Sequence, residues 1–213
     1  MTSNSIDPGW NPQAITESIA PPGDPWHDTV AAVPRHMFTP RWWEPSDNGW
    51  TLHDGPALAA GTPGAWSAAL DDDHPVVTKV GGLRAEDADP GNHPVGPPAI
   101  ASPAPGDTLA LFEYADVRPG CTVLLADAGT GYECALLGRQ LGDAAVTALA
   151  DDGTASRVRL LLRELSLSPA ITARPTGACD RLISAVPGTA VPADCFAALR
   201  PGGRLSALLP AAS

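Results

Sequence analysis

From Asp107 onward the hydrophobic positions fall at two alternating periods, and that alternation predicts an α/β chain. A helix is expected from Asp107 to Ala115, and the apolar run from Cys121 to Ala126, entered through a Pro119-Gly120 turn, reads as a buried strand. A small-residue loop follows, after which Ala and Leu at helical spacing predict a helix through Leu141. A second strand, Ala145 to Ala150, leads to an amphipathic helix from Thr154 to Leu165. That helix carries Val158, Leu161, Leu162 and Leu165 on its inner face and Arg157, Arg159 and Arg163 outside. A short third strand is expected near Ala170 to Ala173 and a fourth from Arg181 to Val186. A helix entered at Pro192 and ended by Pro201-Gly202-Gly203 precedes a fifth strand from Arg204 to Leu209. Strands alternating with helices imply right-handed crossovers, hence a mainly parallel sheet with helices on both faces.

Before residue 105 no such period runs. The first 23 residues are expected as a disordered tail. Asp24-Pro25 makes a helix start, with Asp24 as cap and Pro25 at the first helical position, and this short helix should end near Pro34. The next segment, Val33 to Trp43, contains Pro34 and Pro40, which forbid a continuous helix or a central strand. Its aromatic residues must therefore pack as a clasp against something else. Residues 44–104 are rich in Gly, Pro and Asp, with Asp71-Asp72-Asp73 expected as a solvated loop, and only Pro75 to Val80 reads as a strand. A loop-rich stretch of that length is expected either to close over a site as a lid or to be partly disordered.

Charge narrows the function. The chain of 213 residues carries 24 Asp and Glu against 13 Lys and Arg, a formal charge of −11, with Lys79 as its one lysine. So acidic a surface repels phosphate backbones, and nucleic acid and anionic membranes are not expected as partners. No apolar run approaches membrane-spanning length and no leader opens the chain, so a cytoplasmic location is expected. Cys121, Cys134, Cys179 and Cys195 stand singly on expected elements and read as buried free thiols. All five histidines lie in the first half of the chain, so His/Cys metal spacing is absent and no metal is expected.

The candidate chemistry centres on Asp127-Ala128-Gly129-Thr130-Gly131-Tyr132, a Gly-containing loop between strand and helix. Such a loop lets a ligand approach bare backbone at a helix N-terminus, where free N–H groups face it. Gly129-Thr130-Gly131 alone is a weak signal. Its company is more specific: Val33-Pro34-Arg35-His36-Met37-Phe38-Thr39-Pro40, Asp116-Val117-Arg118-Pro119-Gly120, Cys179-Asp180-Arg181-Leu182-Ile183 and Leu199-Arg200-Pro201-Gly202-Gly203-Arg204-Leu205. In this order and spacing, over roughly residues 24–208, the set resembles the protein-L-isoaspartate O-methyltransferases. The aromatic stretch between Trp42 and Trp66 is most similar to a subgroup that modifies ribosomally made peptides at aspartate.

The resemblance implies a Rossmann-like methyltransferase domain over 105–213 that stops before the last strands of the family sheet, with 24–104 as a substrate-side or lid region. It also implies S-adenosylmethionine as cofactor and methyl transfer to a carboxylate of an (iso)aspartyl residue in a protein or peptide. Asp127, Ala128, Gly129, Thr130, Gly131, Tyr132 and Asp151 are the implied cofactor-side residues. Ser102 is the implied catalytic residue, and Arg35, His36, Phe38 and Thr78 are expected on the substrate side. No general base is required, because a carboxylate is already ionised at neutral pH.

Four departures from the family pattern stand out. Leu125 takes the place of the acidic residue at the end of the first strand, and Asp127 that of the first loop glycine. Ala150 takes the place of the acidic residue that holds the ribose, leaving Asp151 to serve only if the strand end bends. Upstream, Pro103 falls where the family has its serine, so Ser102 is the one hydroxyl nearby. The alternative reading is accordingly a catalytically degenerate homologue acting as a binding or assembly partner. The expected terminal edge strand, Ser206 to Leu209, calls for a cover or a partner, and a homodimer through that edge is one such arrangement.

Overall fold

The structure, a computed structural model, describes residues 6–185 and 191–208. Its second half is a five-stranded, all-parallel sheet. Helix α5 (Pro105–Tyr114) leads into β6 (Val123–Leu125), which is followed by α6 (Tyr132–Leu141), β7 (Val146–Leu149), α7 (Asp152–Glu164) and β8 (Ala170–Thr172). The chain then crosses to the other side of β6, forming β9 (Cys179–Ser184), α8 (Ala193–Ala198) and β10 (Leu199–Ala207). The spatial order is β10-β9-β6-β7-β8. Side chains alternate along β6: Val123 and Leu125 face one core with Phe112, Tyr132, Leu136, Val158 and Ile183, while Leu124 and Ala126 face another with Leu149, Leu182 and Cys195. Both faces of the sheet are thereby covered. All four cysteines are free and buried.

The first half folds as well. Helices α1 (Gln13–Ile19) and α2 (His27–Ala32) precede a 3₁₀ turn, Arg35–Phe38. A hairpin of β1 (Arg41–Ser46) and β2 (Gly49–Asp54) follows, then α3 (Gly55–Gly61), α4 (Ala65–Leu70), β3 (Val76–Val80), β4 (Leu83–Arg84) and β5 (Pro98–Ser102). The strands β1 to β5 form a second sheet with antiparallel pairings, in which β3 pairs with β1, β4 and β5. Strand β1 sends Trp42 to one face, against Trp66, Leu70 and Val76, and Trp43 to the other, against Val80, Ala85 and Ala88. The expected aromatic clasp is thus a strand with one tryptophan on each face.

Three expectations change. Residues 6–23 are not an unstructured tail: α1 lies there, and Asp7, 2% exposed, accepts hydrogen bonds from the backbone N–H groups of Gly9, Gly64 and Ser67. The stretch 44–104 holds a sheet and two helices rather than a long loop. Within Asp71-Asp72-Asp73, expected as a solvated loop, Asp71 is half-buried and Asp73 accepts from the Gly106 N–H at 2.7 Å. Val186 and Leu209, the expected ends of the fourth and fifth strands, lie outside the described residues. No helix among the described residues is long and apolar enough to cross a membrane.

Candidate functional site

The parallel sheet reverses its strand order at β6, which lies between β9 and β7, and such a reversal leaves a crevice at the carboxyl ends of the strands. In α/β sheets that crevice is where ligands bind. The loop after β6 is held in shape by backbone bonds. The Ala128 N–H donates to the Leu149 carbonyl at 2.7 Å, and the Gly131 N–H donates to the Ala128 carbonyl at 2.8 Å. Gly129 and Gly131 have φ of 55° and 101°, a left-handed region that side-chain-bearing residues rarely enter. At Gly131 space is limiting too, since a Cβ there would meet Val158 Cγ1 at 2.8 Å and Phe38 Cδ1 at 3.2 Å. The 3₁₀ turn of the first half and helix α7 therefore press on the loop from two sides.

A cleft of about 90 Å³ opens beside this loop, between the two sheets. Thr78, Arg84, Ser102, Asp127, Gly129, Thr130, Glu133, Ala150, Asp151 and Arg157 are among its lining. The structure thus unites the loop with Thr78 and Ser102 from the antiparallel sheet and with Asp151 at the start of α7. Three buried polar atoms in this lining have no hydrogen-bond partner among the described residues: Ser102 Oγ, Thr130 Oγ1 and Glu133 Oε1. Buried polar atoms are ordinarily satisfied, so three orphans sharing one cleft suit a polar ligand.

Electrostatics set the cleft apart from the surface. Burial pushes the Asp127 carboxyl above the usual range, although the Gly129 N–H donates to it at 2.7 Å and opposes the shift. Burial likewise pushes Glu133 up to about 7. Asp151 differs. It caps α7, accepting from the Thr154 N–H at 2.8 Å and the Thr154 hydroxyl at 3.2 Å, and these bonds hold its carboxyl below the usual range. Its expected ligand-side role thus competes with a capping role.

Several candidates are placed elsewhere. Arg35 is buried and donates to the backbone carbonyls of Leu70, Asp72, His74 and Pro103, which fastens the 70–74 turn to the end of β5. His36 is fully buried between Trp10 and Trp66, and its Nε2 accepts the Asp7 N–H at 3.0 Å. Phe38 packs on Tyr132 with ring centroids 6.1 Å apart. None of the three lines the cleft: Arg35 and His36 knit together segments of the first half, and Phe38 joins that half to the second at Tyr132, itself buried beneath the loop. Of the four residues expected on the substrate side, the structure places Thr78 in the cleft's lining and Arg35, His36 and Phe38 in the packing outside it. The motif was legible but its task was not, because buried polar anchors and ligand contacts draw on the same residue types.

Sequence reasoning missed Arg84, Glu86, Glu133 and Arg157. Arg157, expected on the solvent-facing side of its helix, forms an ion pair with Glu86 of the first half. That pair borders both the cleft and a neighbouring groove of about 530 Å³ whose lining includes Arg41, Asp54, Pro56 and Ala60. The side chain of Arg84, on the short strand β4, makes no hydrogen bond or ion pair among the described residues and contributes a guanidinium to the cleft. One signal was available for Glu133, a carboxylate directly after Tyr132 in the first helical turn.

No family model matches the chain, and no curated protein matches it by sequence. Solved structures do. A protein-L-isoaspartate O-methyltransferase superposes with a TM-score of 0.63 at 16% identity, over 93% of this chain and 55% of that one. A putative enzyme of the same name from Plasmodium falciparum, in complex with S-adenosyl-L-homocysteine, superposes with a TM-score of 0.55 at 12% identity, over 94% of this chain and 85% of that one. The chain has a Rossmann-like methyltransferase fold. It spans little more than half the length of the first of these relatives. Within this methyltransferase fold, the cleft lies at the carboxyl ends of β6 and β7, beside the loop the sequence singled out.

Proposed function

We propose that the protein is a cytoplasmic S-adenosylmethionine-dependent carboxyl O-methyltransferase, acting on an (iso)aspartyl residue of a protein or peptide. The observation that carries the reading is the meeting, in one cleft, of the Gly129–Gly131 loop with three orphaned polar atoms from both halves of the chain. Structural likeness to isoaspartyl methyltransferases over 93% of the chain supports it. The four free, buried thiols suit a reducing compartment.

The residues present fit the cofactor at one end better than at the other. Beside the loop, bare backbone at Gly129 and the carboxylates of Asp127 and Glu133 suit the polar, cationic methionine part. At the ribose end, Ala150 offers no carboxylate and Asp151 is committed to capping α7. Bound there, the cofactor would supply a sulfonium methyl group. The protein's own work is positioning. Ser102 Oγ can donate a hydrogen bond to an acceptor oxygen, Arg84 can balance an acceptor carboxylate, and Phe38 and Val158 fix the loop from behind. A carboxylate acceptor needs no proton removed, so no base is required.

The second reading, a degenerate homologue that binds or assembles without transferring methyl, is favoured by one observation. The cleft of about 90 Å³ is smaller than the roughly 300–1,000 Å³ of ordinary small-molecule sites. Calorimetric titration with S-adenosylmethionine and S-adenosylhomocysteine separates the readings. A micromolar site, followed by methylation of an isoaspartyl or aspartyl peptide, is the expected result. No heat and no thermal shift at millimolar ligand would refute the enzyme and leave the assembly role.

A further inference from the structure

The cleft contains a charge arrangement that the chain does not balance. Glu133 stands in the first turn of α6, is 3% exposed, and has its Oε1 without a partner among the described residues. Asp127, on the same lining, is close enough to push the Glu133 carboxyl further up. Neither carboxylate takes part in an ion pair among the described residues, although Arg84 on the same lining pulls on Asp127. Arg35 exerts a Coulombic pull on Glu133, but it donates to four backbone carbonyls instead. The helix N-terminus makes a carboxylate more tolerable here, yet it leaves Oε1 unmatched. A buried carboxylate is stable only when paired, and a glutamine of the same size would carry no such penalty.

The strand end cannot supply this charge. Leu125 is fully buried among Phe112, Leu136 and Ile183 in the main core, so the place where the resembled family carries an acidic residue is filled with hydrocarbon. We infer that Glu133, with Asp127 beside it, is the carboxylate that receives the α-ammonium of the cofactor's methionine part, replacing the acid absent at Leu125. The inference rests on the cofactor reading above and assigns the ammonium contact to the first turn of the helix instead of the strand end. Such a contact completes Oε1 with a charged donor and neutralises one of two neighbouring carboxylates.

Two ligands isolate the contact. S-adenosylhomocysteine carries the ammonium, whereas 5′-methylthioadenosine keeps the nucleoside and thioether but lacks the amino-acid part. In calorimetry, Glu133→Gln is expected to weaken S-adenosylhomocysteine on the order of 10- to 100-fold, the range for a lost charged hydrogen bond, while leaving 5′-methylthioadenosine unchanged. Equal weakening of both ligands, or of neither, would overturn the assignment while leaving the cofactor reading intact. If the unmodified protein binds neither ligand, the cofactor reading fails and this inference with it. A second readout needs no ligand: at pH 8 Glu133→Gln is expected to raise the thermal midpoint by relieving the unpaired charge. A lowered midpoint would show a structural carboxylate and refute the proposal.

Discussion

Glu86 and Arg157 form an ion pair across 71 residues of sequence, and the pair stands between the cleft and the larger groove beside it. One partner comes from a 3₁₀ turn, Ala85–Asp87, that follows β4, and the other from α7, so the pair also ties the two sheets' layers together. Both side chains are about 30% exposed, 28% for Arg157 and 30% for Glu86.

Opening that pair joins a cleft of about 90 Å³ to a groove of about 530 Å³. Glu86→Gln is therefore expected to speed the association of S-adenosylhomocysteine, read by stopped-flow fluorescence of the tryptophans. Its effect on stability should stay within about 1 kcal/mol, as for other partly exposed pairs. An unchanged association rate would mean that ligands enter without displacing the pair.

Gly131 has φ of 101° and no room for a Cβ between Val158 and Phe38. Gly131→Ala is expected to destabilise the fold by roughly 1–3 kcal/mol, through left-handed strain and overpacking together. Urea unfolding measures it, with a lowered midpoint at unchanged slope as the expected result. The same change at exposed Gly61, which has open space around it, should be neutral or slightly stabilising.

Burial holds His36 at about 4, well below its usual 6.5, although Asp7 nearby pulls the other way. The folded state thus takes up fewer protons than the unfolded chain between those two values. Stability contributed by neutral His36 is complete above pH 6.5 and declines as pH falls toward 4, by on the order of 3 kcal/mol in all. Asp71 and Glu133 act oppositely, because burial lifts each to about 7 and the folded state then favours their protonated forms. The test is a difference: His36→Gln should flatten the loss of stability between pH 6.5 and 4 relative to the unmodified protein. Parallel profiles would refute it.

Ser102 is 3% exposed with an unpartnered hydroxyl facing the cleft. Removing an unsatisfied buried group releases its desolvation penalty, so Ser102→Ala should be neutral or stabilising by up to about 1 kcal/mol. Methyl transfer should nonetheless fall about tenfold or more, with cofactor affinity unchanged. A loss of stability with intact activity would place the hydroxyl in the fold and not at the acceptor.

The sequence by itself determined the parallel half of this protein. Strand and helix there are written locally: the Val123–Leu125 run, the Pro119-Gly120 turn, the Gly129-Thr130-Gly131 loop and the amphipathic face of α7 each specify their own segment. The expected elements fall within a few residues of the observed ones, except that β10 begins at Leu199 and takes in the Pro201-Gly202-Gly203 expected to end the helix before it. The antiparallel half was decided by tertiary structure. Only β3 was legible there, as the expected strand Pro75 to Val80; the other strands are short, include Pro45 and Pro98, and are held by pairing, as Trp43 is with Val77 and Ser102 with Val76. Helix α1 is organised in the same way, beside an Asp7 carboxylate held by the Gly64 and Ser67 N–H groups. The candidate site divides along this line. Its loop was legible because glycine requirements are local, whereas Arg84, Glu86, Glu133 and Arg157 acquire meaning only from what faces them. A charge read along a sequence looks solvated, and only the packing of one sheet over the other shows which charges are buried, paired or left waiting for a ligand.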